Sequence, residues 1–283
     1  MKLAHLTLFL LAVFRLTAAP LVIDDSKIFE GFEEKMDQFK TDAVAATGED
    51  LAEQLKAGAK AKVKLPKVAD LGAGANLYAE LAPSVFVITS IYKCDKCDKW
   101  HRSGGASAWA LTADGVMVTN YHVFEGSEDQ GAFGIISVTG EVFPVEKVLA
   151  ASKEADVAIF KVKGSGFRPL GLSIEPAVGT PVNIISHPNG RYFYYTSGRI
   201  SRYFQNKGRG GADRGVWMHV TAEYAKGSSG GPIFDDQGRV VAMVSSTNSI
   251  YYGSKKKDDR GPFQMVVRNC PTAKLIQDLI DPS

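Results

Sequence analysis

The stretch KGSSGGPIF, residues 226–234, decides how the rest of the chain is read. It holds three glycines, two adjacent serines and a proline. Glycine lets a backbone turn sharply, so a serine among glycines is either a turn residue or an exposed nucleophile. A nucleophilic serine needs a base to take its proton and a group to orient that base. Gly227-Ser228-Ser229-Gly230-Gly231 also fits the G-x-S-x-G elbow of α/β-hydrolases, in which the histidine follows the serine. The histidines here are His5, His101, His122, His187 and His219, and all precede Ser229. Chain order excludes the elbow.

The order His, Asp, Ser is available instead. VMVTNYHVF (116–124) reads as an apolar strand running into His122. EADVAIFKV (154–162) puts Asp156 at the head of another strand. Ser229 follows, with room for further strands between. In this set Ser229 Oγ attacks, His122 acts as base and then acid, and Asp156 fixes the imidazole tautomer. The N–H groups of Gly227 and Ser229 are the candidate oxyanion donors. Each residue also has an ordinary reading: a turn serine, a core histidine, a strand-capping aspartate. His187 and His219 read as structural, with a substrate-side role open for His187.

The 283 residues suffice for one large or two modest domains. Residues 1–19, MKLAHLTLFLLAVFRLTAA, read as a secretory signal peptide, with Lys2 ahead of an apolar run too short to span a bilayer. A retained N-terminal anchor is the alternative. Losing Lys2 and Arg15 brings the 33 basic residues level with the 31 acidic ones. That balance gives no field for nucleic acid. Residues 20–76 read as a helical arm and linker. Ile28, Phe29, Phe32, Met36 and Phe39 share one helical face, and Thr47 caps a second helix with Asp50 three residues on. The arm is expected to pack on the main domain, an oligomerisation or propeptide role being the alternative. From residue 77 short apolar runs recur between glycines and prolines, which predicts a sandwich or barrels. CPTAKLIQDLI (270–280) reads as a closing helix, and KKKDDR (255–260) as a solvated loop.

SGGASAWALTADGVMVTNYHVF, DVAIFKV and GSSGGPIFDDQGRVVAMVSS resemble the three core blocks of trypsin-like serine peptidases of the HtrA type. The resemblance runs from about Leu77 to Leu279. It implies a mainly β fold, two antiparallel β-barrels of the chymotrypsin type over 77–283, with the helical arm before them and a helix after. It implies a secreted or periplasmic serine endopeptidase acting on proteins or peptides, with His122, Asp156 and Ser229 as catalytic residues. No stable membrane insertion is expected after leader removal, and homo-oligomers are left open. The alternatives are a silent homologue that binds chains and a serine esterase. Two departures stand out. Ser228 precedes the nucleophile where members usually carry Asn or Asp. The chain also stops too soon for the PDZ domain that many members carry. By the same resemblance, Glu223, six residues before Ser229, falls at the base of the primary pocket; it either selects basic side chains there, or faces solvent, or folds back and pairs with a neighbour such as Lys226 or Arg202. Ser245, Ser246 and Thr247 form the strand edge for substrate backbone.

KCDKCDKWH gives Cys94-x2-Cys97-x3-His101, with Cys270 far along the chain. These suit a structural zinc ion with Cys270 as fourth ligand. A Cys94–Cys97 disulfide and free thiols are the alternatives. Catalysis by a serine triad needs no cofactor.

Overall fold

The computed structural model describes residues 21–58, 60–94, 96–253 and 261–281. The expected leader and the KKKDDR loop lie outside the described residues. In the arm, α1 (Phe32–Thr41) starts later than the apolar periodicity suggests. Gly31 caps it in the left-handed conformation, at φ 70°, so the preceding residues form turns instead. The predicted face still packs: Phe32 and Met36 are fully buried, Ile28 nearly so, and Phe29 and Phe39 partly. The second helix, α2 (Gly48–Ala57), carries the expected capping box. Thr47 Oγ1 accepts from Asp50 N–H and Asp50 Oδ2 from Thr47 N–H, both at 3.1 Å. A two-residue strand, β1 (Ala61–Lys62), follows.

Helix α3 (Leu77–Leu81) leads into the first barrel. Its strands are β2 (Val85–Lys93), β3 (Trp100–Arg102), β4 (Ala106–Ala110), β5 (Val116–Thr119), β6 (Ala132–Ile136), β7 (Val142–Ser152) and β8 (Val157–Val162), with the one-turn helix α4 (Tyr121–Phe124) after β5. The antiparallel order is β3-β2-β4-β5-β8-β7-β6, and β2 also pairs with β6, closing six strands into a barrel. Side chains alternate along each strand. Phe86, Ile88, Ala108 and Met117 therefore share one cluster with Phe124 and Phe160. Val85, Val87, Trp109 and Val118 face the other, which holds Phe32 and Met36 of the arm. Gly134 of β6 makes room for that contact, since a Cβ there would stand 2.5 Å from Met36 Sδ. Gln54 Oε1 of α2 accepts from Val148 N–H at 2.7 Å. The arm thus packs as part of the first barrel's wall.

The second half contains β9 (Pro181–Ser186), β10 (Tyr194–Lys207), β11 (Asp213–Val220), β12 (Pro232–Phe234), β13 (Val240–Met243), β14 (Ser246–Tyr251) and β15 (Phe263–Pro271). Their order is β13-β12-β9-β10-β11-β15-β14, all antiparallel. A bridge between Ala242 and Thr272 brings β13 back to the end of β15 and rolls the sheet up. Its core holds Val182, Ile184, Ile200, Met218, Ile233 and Val241. The closing helix is shorter than the sequence suggests. Cys270 and Pro271 extend β15, and α5 covers only Ala273–Gln277. Finally β16 (Ile280–Asp281) pairs in parallel with β1. Among the described residues no helix is long and apolar enough to cross a membrane.

Candidate active site

His122 and Asp156 are set by the first barrel. Strand β5 ends at Thr119, and buried Asn120 leads into α4, which carries His122. Asp156 lies in the turn between β7 and β8 at φ 56°, a region that is costly for a residue with a side chain. Asn120 Nδ2 donates to the Asp156 carbonyl at 2.8 Å and helps hold that turn. The carboxylate gathers donors. Oδ1 accepts from the His122 backbone N–H at 3.2 Å and lies 2.9 Å from Nδ1, with Oδ2 at 3.0 Å. Ser245 Oγ, from the second barrel, donates to Oδ2 at 2.6 Å. With Nδ1–H committed to Asp156, the lone pair of neutral His122 falls on Nε2. Burial pushes the imidazole pKa down, but the hydrogen bond to Asp156, the charge of Asp156 and that of Glu125 outweigh it. The result is a pKa above the ordinary value.

The second barrel supplies Ser229 from the turn before β12. Gly227 at φ 94° and Gly230 at φ 84° make that turn. Neither position has room for a side chain: a Cβ on Gly227 would stand 2.6 Å from the His187 carbonyl, and one on Gly230 2.1 Å from the Ser107 carbonyl. Ser107 N–H donates to the Ser229 carbonyl at 2.7 Å, so the turn is anchored on the first barrel. Among the described residues no backbone hydrogen bond engages the N–H of Gly227 or of Ser229. The Ser229 hydroxyl donates to the Ser245 carbonyl at 3.4 Å, and among the described residues no hydrogen bond joins it to His122. His122 and Ser229 nevertheless line one cleft of about 380 Å³, with Gly104, Gly105, Ser127 and Lys226. A second cleft of about 540 Å³ continues past His122 between Lys153, Asn248 and Trp217. Ser228 is fully buried, and its Oγ has no hydrogen-bond partner among the described residues.

The expected pocket base differs in detail. Glu223 is 82% exposed and pairs with Arg268 Nη2 at 3.1 Å, rather than with Lys226 or Arg202. Tyr224 has no motif to single it out. Its buried hydroxyl donates to the carbonyls of Ser246 at 2.8 Å and Asn269 at 3.0 Å, and burial holds its pKa well above the ordinary range. Ser246 and Thr247 begin β14, an edge strand bonded on one side to Asn269 and Arg268 of β15. Ser245 turns to Asp156 instead. His187 is buried and accepts from Phe193 N–H through Nδ1 at 3.0 Å, while its carbonyl packs on Gly227. His219 meets Asn269 Oδ1 through Nε2 at 3.0 Å and stands against the Phe204 ring.

The cysteine expectation divides. Cys94, Cys97 and His101 converge: the sulfurs are 3.1 Å apart, and His101 Nε2 is 3.4 Å from Cys94 Sγ and 3.0 Å from Cys97 Sγ. Cys270 is not with them. It pairs with Met218 in the second barrel's core, where burial pushes its thiol pKa up to about 12. A residue fixed on β15 in the second barrel cannot close a site at the tip of the β2–β3 hairpin of the first.

Residues 106–243 match the trypsin-like peptidase domain family. Over that stretch, just under half of its length, the chain is similar to trypsin-like peptidases. It is 26% identical to Protease Do-like 1, chloroplastic, of Arabidopsis thaliana, over 61% of this chain and 41% of that protein. It is 32% identical to a probable periplasmic serine endoprotease, DegP-like, of Ectopseudomonas mendocina, over 49% of this chain and 28% of that one. These matches thus span less than half of either relative's length. Among solved structures, a protease of M. tuberculosis in its active form superposes with a TM-score of 0.55 at 23% identity, over 77% of this chain and 89% of that one. An HtrA-type protease with a bound tripeptide gives 0.56 at 18%, over 72% and 60%. At these identities the superpositions speak for the fold, a double barrel of the chymotrypsin kind.

Proposed function

We propose that this trypsin-like peptidase domain is a serine endopeptidase, exported from the cytoplasm and acting through His122, Asp156 and Ser229. The observation that carries the reading is the bond between His122 Nδ1 and an Asp156 carboxylate that Ser245 also holds. Such a pair fixes the tautomer whose Nε2 takes a serine proton. Ser229 lines the same cleft as His122, and the reading requires its hydroxyl to turn about χ1 from the Ser245 carbonyl towards Nε2. Hydrogen bonds of this kind are often long before substrate binds.

Oγ then attacks the substrate carbonyl carbon as its proton passes to Nε2. The negative charge that develops on the carbonyl oxygen is met by the N–H groups of Gly227 and Ser229, a pair worth roughly 3 kcal/mol per donor. The tetrahedral adduct collapses, the C–N bond breaks, and the imidazolium gives its proton to the leaving amine. Water, deprotonated by Nε2, hydrolyses the acyl-enzyme by the same steps in reverse. The free edge of β14 accepts the substrate backbone as an added strand. With Glu223 neutralised by Arg268, and Tyr224 tied to the carbonyls of Ser246 and Asn269, the primary pocket favours uncharged side chains.

One observation favours a second reading, a silent homologue that binds chains: the Ser229 hydroxyl rests on Ser245. A fluorophosphonate probe separates the two. Labelling of Ser229 in the native chain, absent in Ser229→Ala, is the expected result. A folded chain that binds peptides but takes no label would overturn the peptidase reading.

A further inference from the structure

The hairpin between β2 and β3 carries a group that the hydrolytic chemistry does not use. Cys94, Cys97 and His101 bring two sulfurs and one ring nitrogen within 4.8 Å of one another, at separations of 3.0–3.4 Å. A disulfide would engage the two sulfurs and leave the imidazole no part. Here Nε2 approaches both sulfurs, which is the arrangement of three ligands around one point. Around a tetrahedral zinc ion two sulfurs stand about 3.8 Å apart and a sulfur and a nitrogen about 3.5 Å, so the trio needs to open by at most about 0.7 Å to admit one. Two thiolates and an imidazole suit zinc better than calcium or magnesium, which prefer oxygen.

We propose that Cys94, Cys97 and His101 bind one zinc ion that ties off this hairpin and holds the neighbouring wall of the active-site cleft. Exposed Cys97 leaves the fourth position open to a water molecule. The link to the cleft runs through β3. Trp100 Nε1 donates to Asp37 of α1 at 2.5 Å, and the Arg102 guanidinium stacks 3.5 Å over the Phe29 ring. The next residues, Ser103, Gly104 and Gly105, line the cleft beside His122. Ser103 is itself pinned to β2, its N–H donating to the Ser90 carbonyl at 2.9 Å. The ion therefore closes the outer end of a hairpin whose inner end borders the reacting centre.

The test uses the full chain purified without chelator. Metal analysis is expected to find about one zinc per chain. Cobalt exchanged into the site is expected to show thiolate-to-metal charge transfer and the strong visible bands of four-coordinate Co(II). Cys97→Ser and His101→Ala are expected to lose both signals, and Cys270→Ala to keep them. Amide exchange of residues 103–106 is expected to quicken when a chelator removes the metal. None of these readouts depends on peptidase activity, so a silent enzyme leaves the test intact. A Cys94–Cys97 disulfide in the freshly purified chain, found by mass spectrometry under non-reducing alkylation, overturns the site. So does an equal metal content in Cys97→Ser. Zinc that binds with no change in exchange at 103–106 overturns the bracing role.

Discussion

Each barrel holds a histidine beside the cleft, and the two are driven in opposite directions. His122 on the first barrel is partly buried, which lowers its pKa, yet the bond and charge of Asp156, with Glu125 behind them, raise it overall. His187 on the second barrel is wholly buried, and among the described residues no carboxylate bonds to it. Desolvation lowers its pKa to about 4, weakly opposed by the Phe86 backbone. The difference lies in what the barrel places around the ring. The turn after β7 aims Asp156 at one imidazole. The second barrel offers the other a Phe193 N–H, which a neutral ring accepts and a protonated ring cannot. On the proposed reading the first barrel holds a proton carrier, whereas the second packs a neutral histidine under Gly227.

The proposed division of labour is tested most severely by splitting the triad across the barrels. Ser229→Ala and His122→Ala are each expected to lower kcat by roughly 10⁴-fold or more, and the double variant to be scarcely worse than either. Multiplying losses, read in single-turnover assays, would mean that the two barrels do not act as one unit. The next effect concerns stability. Phe32→Ala empties a fully buried position where the arm meets the first barrel, and is expected to destabilise by about 3–5 kcal/mol in denaturant titration. A loss below about 1 kcal/mol would detach the arm from that barrel's core.

His187 predicts an acid weakness. Its folded pKa lies below the unfolded one, so its contribution is present above about pH 6.5 and is lost as pH falls towards 4. The full loss amounts to about 3 kcal/mol, and a His187→Gln chain is expected to show a flatter pH–stability curve between those limits. An unchanged slope would mean that other groups set the acid limit. The smallest effect is the reverse case. The pKa of His122 is raised, so any stability it adds is present below about pH 6.5 and fades as pH rises through the folded value. Activity needs the neutral ring, and kcat/KM is expected to rise along a limb whose midpoint lies above 6.5 and falls in Asp156→Asn. A midpoint unmoved by Asp156→Asn would deny the carboxylate its role.

What the sequence made legible follows from local rules. Alternating apolar runs fixed the strands, and the Thr47–Asp50 spacing fixed a cap. His122, Asp156 and Ser229 stand out as candidates by their neighbours and their order. What it hid depends on contacts between distant segments. Gly31 shortens α1 although the apolar face runs on before it. Glu223 finds Arg268, and Tyr224 finds Ser246 and Asn269, because β14 and β15 pair beneath them. Ser245 belongs to a strand edge by its sequence position, yet it holds Asp156 across the gap between barrels. Cys270 was drawn to the zinc motif by residue type, while β15 had already committed it to the other core. No local pattern encodes any of these.

The two-residue ladder between β1 and β16 has a consequence for how the fold closes and opens. Ala61 pairs with Ile280 and Lys62 with Asp281, so this contact joins segments 219 residues apart (280 − 61). Loops that long close slowly. The arm and first barrel can gather before this pair forms, since their own contacts are closer in sequence. A latch of two residue pairs across so long a loop is the contact expected to open first, and amide exchange at Ala61 and Ile280 reads that opening apart from the barrels.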